Sequence, residues 1–273
     1  VFTNFTPDHL ERHGGIGGYY AAKKRLFTSG CPDRSIIGVD EFEGNLLAQE
    51  IADHLHDDRV IRVSSSSKIT SMGWAVFANK GFLSEYRRGK QVASLDLRNF
   101  KTLQGSHNHQ NVCAAYAAVR TLGVGPRLVE EALKSFTGLE HRSQLVDKIS
   151  GVAFVNDSKA TNVDSAMKSL ETFRQVRWIC GGEQKEEDIS RINNVLTNVK
   201  KAYVIGTNSA KFSSQISCEF EICNTMDVAV KKAFSEAECG DTVLLAPAAA
   251  SFDQYSSFEE RGKAFEHEIK KLK

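Results

Sequence analysis

The sequence predicts an α/β protein of two domains, and three observations support this prediction. The chain has 273 residues, which exceeds one average domain and suggests two of roughly 100–150 residues each. Residues 1–138 mix helical stretches with short strand candidates, whereas from residue 139 short apolar strands alternate regularly with helical segments. Such alternation is typical of a parallel sheet covered on both faces. We therefore expect residues 139–273 to form a doubly wound α/β domain.

The first domain is irregular. A helical stretch covers residues 17–27, and the turn-rich region 30–103 contains strand candidates at 60–63, 75–78 and 92–97. An Ala-rich pattern predicts a helix over 108–122, which Gly123, Gly125 and Pro126 end, and a second helix follows over 127–136. The domain boundary is expected near Gly138.

The second domain shows a regular series of apolar strand candidates, at residues 152–155, 176–180, 202–205, 220–222 and 243–245. In an open parallel sheet, ligands gather beyond the carboxyl ends of the strands. The loops that follow these strands are therefore the first places to look for functional side chains.

Composition excludes several classes of function. The formal net charge is only +1, so no broad positive field favours nucleic acid or a membrane surface. No apolar stretch approaches the ~20 residues of a membrane helix, and no signal peptide is visible. We expect a cytoplasmic protein with reduced, buried cysteines. Because Val1 begins a strand-like segment without an initiator Met, we also expect the chain to be truncated upstream.

Three loops of the second domain are unusually polar or glycine-rich. They comprise residues 156–162, residues 181–185, and residues 246–253 with the following segment 258–262. Free N–H groups at a helix start favour anions, and glycines permit close backbone approach. Each loop also has a simpler explanation: an N-cap, a tight turn, or an Arg261 that pairs with Glu259 or Glu260.

Two segments of the first domain also carry candidate residues. Residues 105–108 open the Ala-rich helix, where backbone N–H groups and Asn108 could hold a nucleotide, although helix capping explains the same pattern. His9, with Asp8 before it, precedes the helix that carries Lys23, and a carboxylate with an imidazole could position Mg²⁺. A lone His or Lys is more often simply solvated.

Six ordered motifs give the chain a resemblance to a known family. They are TPDHLERH, YYAAKKRLF, GSHNHQN, GLEHR, NDSKATN and APAAASFDQYSSFEERG. The chain resembles the Mur ligases and, within them, the branch that adds D-glutamate. The resemblance implies that residues 1–138 are the carboxyl-terminal remainder of a central ATPase-type domain. It also implies that residues 139–273 are a Rossmann-like domain that binds D-glutamate.

The resemblance implies a reaction in peptidoglycan precursor synthesis. In this family ATP phosphorylates the carboxylate of UDP-N-acetylmuramoyl-L-alanine, and the amine of D-glutamate attacks the resulting acyl phosphate. Mg²⁺ and basic side chains hold the accumulating negative charge. By the same resemblance, we expect ATP and Mg²⁺ as cofactors, and a monomer when the protein is complete.

Roles are implied for individual residues by their motifs. His9 resembles a ligand of the second Mg²⁺, and Lys23 resembles the family's carbamylated lysine at that metal. The residues that resemble nucleotide contacts are Asn108, Asn111, Arg142, Asp157 and Lys159, with Arg142 reaching the phosphates on domain closure. The residues that resemble the grip on D-glutamate are Thr161, Lys185, Ser251 and Phe258.

One departure from the family pattern bears on activity. The family's glycine-rich phosphate loop with Lys and Ser/Thr is absent from these 273 residues. We therefore expect that loop and the UDP-binding domain upstream, and expect the chain alone to be inactive. An alternative hypothesis is a stand-alone, non-catalytic ligand-binding or regulatory protein derived from such a ligase. A dehydrogenase is disfavoured because no G-x-G-x-x-G follows a strand.

Overall fold

The computed structural model describes residues 1–6, 10–29, 32–53, 57–70, 73–103 and 105–273. These residues divide into two compact units, Val1–Phe136 and Thr137–Lys273. No helix in the described ranges combines the length and the apolar character needed to cross a bilayer.

The first unit contains the following elements, together with a short 3-10 helix at Lys101–Leu103: α1 (Leu10–His13), α2 (Ile16–Thr28), β1 (Ser35–Gly38), α3 (Phe42–Ile51), β2 (Val60–Ser64), β3 (Trp74–Asn79), β4 (Phe82–Arg87), β5 (Lys90–Asp96), α4 (Ser106–Thr121) and α5 (Pro126–Ser135).

The sheet of the first unit has the order β1-β2-β3-β4-β5. Strands β1, β2 and β3 are parallel, whereas β4 and β5 continue the sheet as antiparallel hairpins. Helix α4 covers one face, where Tyr116 joins a core with Ile61 and Val76. The opposite face at β1 packs against α3 through Leu47 and against Phe2.

Several elements of this unit match the sequence patterns. The strand candidates at 60–63, 75–78 and 92–97 correspond to β2, β3 and β5, and the Ala-rich helix corresponds to α4. Strands β1 and β4 and helix α3 were not predicted individually. The four residues of β1 are too few to show a period, and α3 begins after Glu41 without a side-chain cap.

The second unit contains β6 (Gln144–Ile149), β7 (Val152–Asn156), α6 (Val163–Thr172), β8 (Val176–Gly181), β9 (Val199–Ile205), α7 (Ser209–Ser213), β10 (Phe220–Asn224), α8 (Met226–Ser235), β11 (Thr242–Leu245) and α9 (Phe258–Lys270). A 3-10 helix spans Ser190–Asn198 between β8 and β9.

The sheet of the second unit has the order β10-β9-β8-β11-β7-β6 and is covered on both faces. Strands β7 to β11 pair in parallel, and only the edge strand β6 runs antiparallel to its neighbour. Helix α6 and the 3-10 helix cover one face, and α8 and α9 cover the other. This confirms the predicted doubly wound α/β domain, while the antiparallel β6 is an addition.

The described cysteines are free thiols, as expected, but not all are buried. Cys113, Cys180 and Cys223 are buried, whereas Cys218 is half-buried and Cys239 is exposed. Burial raises the pKa of the Cys218 thiol to about 11. Cys239 is exposed because it lies in the turn before β11, outside any apolar run.

Candidate functional site

The three loops singled out in the second domain meet at one edge of its sheet. Strand β11 lies between β7 and β8 and is parallel to both, so all three strands end at the same edge. The Ala248 N–H donates to the Ala160 carbonyl at 2.9 Å, which joins the loops after β11 and β7. Glu183 and Ala250 exchange two backbone hydrogen bonds of 3.0 and 2.9 Å, which joins the loops after β8 and β11.

Gly182 makes the junction of two of these loops possible. Its φ of 131° lies in a region that residues with a Cβ rarely adopt. A Cβ placed on Gly182 would lie 2.3 Å from the Ala250 carbonyl oxygen. The two backbones approach as closely as they do because residue 182 has no side chain.

Arg261 links two of these loops, those after β7 and β11, a role that the sequence did not reveal. Its side chain is 1% exposed, and the guanidinium donates to the Ser158 hydroxyl at 3.1 Å and the Ser158 carbonyl at 2.9 Å. It also donates to the carbonyls of Ala249 and Ala250, both at 3.1 Å.

The expected simple explanation, an ion pair of Arg261 with Glu259 or Glu260, is wrong. Both glutamates are exposed, and the Arg261 guanidinium bonds only to oxygens of residues 158, 249 and 250 within the described chain. Burial lowers the pKa of Arg261 to about 10, which still leaves the group charged at neutral pH. A helical position facing the sheet was the one signal that could have indicated this burial.

Thr161, Lys185 and Ser251 lie on the three joined loops, one on each. Ser251 is buried, Thr161 is half-buried and Lys185 is exposed. Within the ranges that the structure describes, neither hydroxyl nor the Lys185 ammonium is engaged by a hydrogen bond or an ion pair. Two hydroxyls and one cation are thus available for a ligand at this edge.

Phe258 and Lys159 form a contact beside these loops. The Lys159 ammonium lies 3.9 Å from the centroid of the Phe258 ring, within the range of a cation–π interaction. The Phe258 carbonyl accepts a hydrogen bond from Ser158 at 2.8 Å. Ser257 caps α9 by accepting from the Glu260 N–H, which fixes where Phe258 enters the helix.

Arg142 and Asp157 occupy different environments although both were assigned to the nucleotide. The Arg142 side chain is exposed. Asp157 is buried, and its carboxylate accepts hydrogen bonds from the Ser143 N–H at 3.2 Å and from the Ser169 hydroxyl. Burial raises the pKa of Asp157, and these two hydrogen bonds oppose the rise only in part.

A second polar cluster lies at the carboxyl ends of β1 and β2 in the first unit. The Asp40 carboxylate accepts from the Ser64 and Ser66 hydroxyls at 2.5 and 2.6 Å and from the Ser65 N–H at 2.8 Å. Gln110 of α4 donates to the same carboxylate at 3.2 Å. Burial by itself would raise the pKa of Asp40, but the hydrogen bonds from these serines outweigh it and lower the pKa.

Asn108 and Asn111 lie on α4, on either side of Gln110 in the sequence. Their spacing of three residues places them on one helix face. Asn108 is half-buried and Asn111 is exposed, whereas Gln110 is buried toward Asp40. Asp40 was not among the predicted site residues because it follows β1, a strand that the sequence did not predict.

Lys23 and its neighbour Lys24 have distinct surroundings on α2. The Lys23 ammonium lies over the rings of Tyr19, Phe2 and Phe5 at 4.5, 5.8 and 5.8 Å. Lys24 instead pairs with Glu50 at 2.7 Å.

Of the two predicted Mg²⁺ ligands, only Lys23 lies among the described residues. His9 lies outside the described residues, and the described ones contain no group of three or more His, Cys, Asp or Glu side chains arranged to hold a metal. The Lys23 ammonium is a cation held by aromatic faces, and without a free lone pair it cannot ligate a metal in this form. The described residues therefore do not form a Mg²⁺ site by themselves.

Comparison with known proteins assigns each of the two units to a domain of the Mur ligases. Residues 1–119 match the family model of the Mur ligase middle domain, and residues 141–249 match that of the Mur ligase, glutamate ligase domain. The chain is 60% identical over 271 residues to the UDP-N-acetylmuramoylalanine–D-glutamate ligase of Ruegeria pomeroyi, and 59% identical to that of Roseobacter denitrificans. Each of these alignments covers 99% of this chain and 58% of the relative.

Solved structures share the fold at low sequence identity. A pseudomurein peptide ligase type C from Methanothermus fervidus superposes with a TM-score of 0.69 at 16% identity, covering 99% of this chain and 62% of the other. The UDP-N-acetylmuramate–alanine ligase of Thermotoga maritima gives 0.65 at 16% identity, covering 99% and 59%. With both family models in sequence order and the fold of both units shared, the chain belongs to the Mur ligase family.

Proposed function

We propose that this chain provides the middle and carboxyl-terminal parts of an ATP-dependent ligase that adds D-glutamate to UDP-N-acetylmuramoyl-L-alanine. The chain spans 58% of the length of the Ruegeria pomeroyi relative, so the complete reaction is proposed for a protein that also has the remaining portion. The printed names of the relatives and the glutamate ligase model support the choice of substrates.

The observation that carries the proposal is the set of three joined loops with unengaged polar groups. D-glutamate has two carboxylates, which charge-assisted hydrogen bonds from a cation and from hydroxyls bind well. Lys185 is the exposed cation, and Thr161 and Ser251 supply hydroxyls on the two neighbouring loops. Because backbone hydrogen bonds hold the loops together, little ordering is left to be done when the ligand binds.

The proposed chemistry has two steps. A carboxylate oxygen of the muramoyl-alanine substrate attacks the γ-phosphorus of ATP, and the bond to the ADP oxygen breaks. The amine of D-glutamate then attacks the acyl carbon, phosphate leaves with its electron pair, and the nitrogen loses a proton. The exposed Arg142 and the half-buried Lys159 are the cations of this unit that we assign to the phosphates.

The remaining nucleotide and metal assignments belong to the same proposal. We assign Asn108 and Asn111, on one face of α4, to the nucleotide, and Asp157 to the nucleotide side through its contact with the Arg142 segment. We assign His9 to Mg²⁺, together with Lys23 once CO₂ has converted its amine to a carbamate. That modification exchanges a cation for an anion and would end the ring contacts that Lys23 now makes.

The test joins this chain to the part of the Ruegeria pomeroyi relative that it does not cover. We expect the joined enzyme to release phosphate from ATP only when both D-glutamate and UDP-N-acetylmuramoyl-L-alanine are present. Binding of D-glutamate without any phosphate release would support the stand-alone binding protein instead.

Lys185→Ala tests the amino-acid site directly. Because a hydrogen bond to a charged group contributes about 1.5–3 kcal/mol, we expect the KM for D-glutamate to rise roughly 10-fold or more, with the KM for ATP unchanged. The matched control is Lys231→Ala, an exposed lysine of the same unit on α8. An unchanged KM for D-glutamate would remove Lys185 from the site.

A further inference from the structure

The segment His141-Arg142-Ser143, called here the 141–143 turn, has an unusual backbone. His141 has a φ of 61° and Ser143 a φ of 45°, both in the left-handed region that favours glycine. Residues with a side chain are strained in this region and persist there where the surroundings determine the conformation. Between them stands Arg142, whose side chain is exposed while His141 is buried.

Besides a local hydrogen bond from the Arg142 N–H to the Leu139 carbonyl at 3.2 Å, four hydrogen bonds hold the 141–143 turn from both sides. The His141 N–H donates to the Gln144 side-chain oxygen at 2.9 Å, and the His141 carbonyl accepts from the Lys159 N–H at 3.1 Å. The Ser143 N–H donates to the Asp157 carboxylate at 3.2 Å. The fourth bond joins the His141 ring to the Asn156 side-chain amide, with a distance of 3.0 Å between Nδ1 and Nδ2.

The orientation of Asn156 is itself fixed. Its Oδ1 accepts from the Ser158 N–H at 3.1 Å, and its Nδ2 lies within hydrogen-bond distance of the His141 ring, the Gly262 carbonyl (3.2 Å) and the Glu266 carboxylate (3.0 Å). The ring packs directly against the backbone of Gly262, where an added Cβ would lie 2.3 Å from Nδ1. The position of His141 is therefore over-determined by its neighbours.

We propose that the 141–143 turn holds the backbone of Arg142 in a fixed position before the nucleotide binds. Gln144 and Asn156 are then positioning residues that act through Arg142. This inference rests on the proposed function, in which Arg142 meets the phosphates. Many contacts maintain the strained backbone of the turn. They fix the position of the Arg142 backbone, from which the solvent-facing guanidinium extends. The loop after β7 thus has two proposed roles. It carries Thr161 of the amino-acid site, and its hydrogen bonds to the 141–143 turn hold the backbone next to Arg142.

The first experiment tests whether the turn is one cooperative unit, on the 273-residue chain and without any reaction. Gln144→Ala removes the acceptor of the His141 N–H, and Gln144→Glu restores one. In Gln144→Ala we expect faster hydrogen exchange, by about fivefold or more, at the amides of His141, Ser143 and Lys159 together. Gln144→Glu should restore slow exchange, and Lys148→Ala on the same strand is the control. Faster exchange confined to the His141 amide would overturn the inference.

The second experiment tests whether Gln144 acts through Arg142, in the joined enzyme. We expect Gln144→Ala to raise the KM for ATP about 3- to 10-fold and leave the KM for D-glutamate unchanged. In an Arg142→Ala background the same change should add less than about twofold, because the group that it positions is already gone. An equal effect in both backgrounds, or on both KM values, would overturn the positioning role.

The two proposals fail in different ways. A parent enzyme without activity would contradict the proposed function, since no variant is needed to see it. The hydrogen-exchange measurement would still support or overturn the claim that the 141–143 turn is ordered as one unit, independently of any activity. If Asn156→Ala folds, it should reproduce the KM pattern of Gln144→Ala with a larger effect, because it also frees the His141 ring.

Discussion

At the scale of single residues, Arg261 shows how one buried cation can join two loops of a candidate ligand site. It has no carboxylate partner within the described residues, and its bonds to four oxygens of two loops compensate for its desolvation. Removing the side chain leaves the buried carbonyls of Ser158, Ala249 and Ala250 without this donor.

We predict that Arg261→Ala lowers the free energy of unfolding by about 2–4 kcal/mol, the combined effect of a cavity and unsatisfied carbonyls. Arg261→Lys should recover less than half, because an ammonium cannot reach both loops in the same plane. Urea denaturation gives the values, and Lys263→Ala, exposed on the same helix, is the control. A loss no greater than that of the control would contradict the linking role.

Asp157 gives a prediction about pH. Burial raises its pKa above the ordinary value of 3.8, so the folded chain holds this proton more tightly than the unfolded chain. Its contribution to stability is fully present below pH 3.8 and is lost as the pH rises through the raised pKa.

Asp157→Asn should remove that pH dependence. The amide keeps an acceptor for the Ser143 N–H and cannot ionise. We expect the variant to match the parent in acid and to equal or exceed its stability near neutral pH, measured by urea midpoints from about pH 4 to 7. A parallel pH profile for the two proteins would show that Asp157 does not titrate in this range.

At the scale of elements, Asp40 joins three parts of the first unit. It follows β1, accepts hydrogen bonds from the serines that follow β2, and accepts one from Gln110 on α4. The helix that carries Asn108 and Asn111 is thereby fixed to the carboxyl edge of the sheet.

We predict that Asp40→Ala costs about 1–3 kcal/mol of stability, as expected for losing hydrogen bonds to a half-buried charged group. Because the pKa of Asp40 is lowered, this contribution is present above pH 3.8 and is lost as the pH falls through the lowered value. Thermal unfolding at neutral and acidic pH measures both effects, with the exposed Asp33→Ala as control. Equal losses at both pH values would contradict the role of the ionised form.

At the scale of the whole molecule, each apolar core lies within one of the two units. The clusters around Trp178 and Phe265 belong to residues after Thr137, and those around Tyr116 and Leu47 belong to residues before it. Separate cores favour separate cooperative transitions.

We therefore predict two transitions in calorimetry of the chain. Arg261→Ala should lower one of them and Asp40→Ala the other, and in the double variant each shift should match its single variant within about 0.5 kcal/mol. A single transition that both substitutions lower would show that the two units unfold together.

The sequence by itself determined the class of fold and the family. The inner strands β7, β8 and β11 are apolar and almost wholly buried, so their local signal was strong, and the motifs after them identified Thr161, Lys185 and Ser251 as candidates. Strand β1 has only four residues, and the edge strand β6 mixes charged and apolar residues without a buried run, so neither was predicted.

The contacts that hold these residues become visible in the folded protein alone. The burial of Arg261, the serine contacts of Asp40 and the left-handed backbone on both sides of Arg142 all depend on partners distant in the chain. Local patterns report the preference of a segment for helix, strand or turn. They do not report which remote carbonyl or carboxylate will meet a side chain, because that contact exists only once the sheet has brought the loops together.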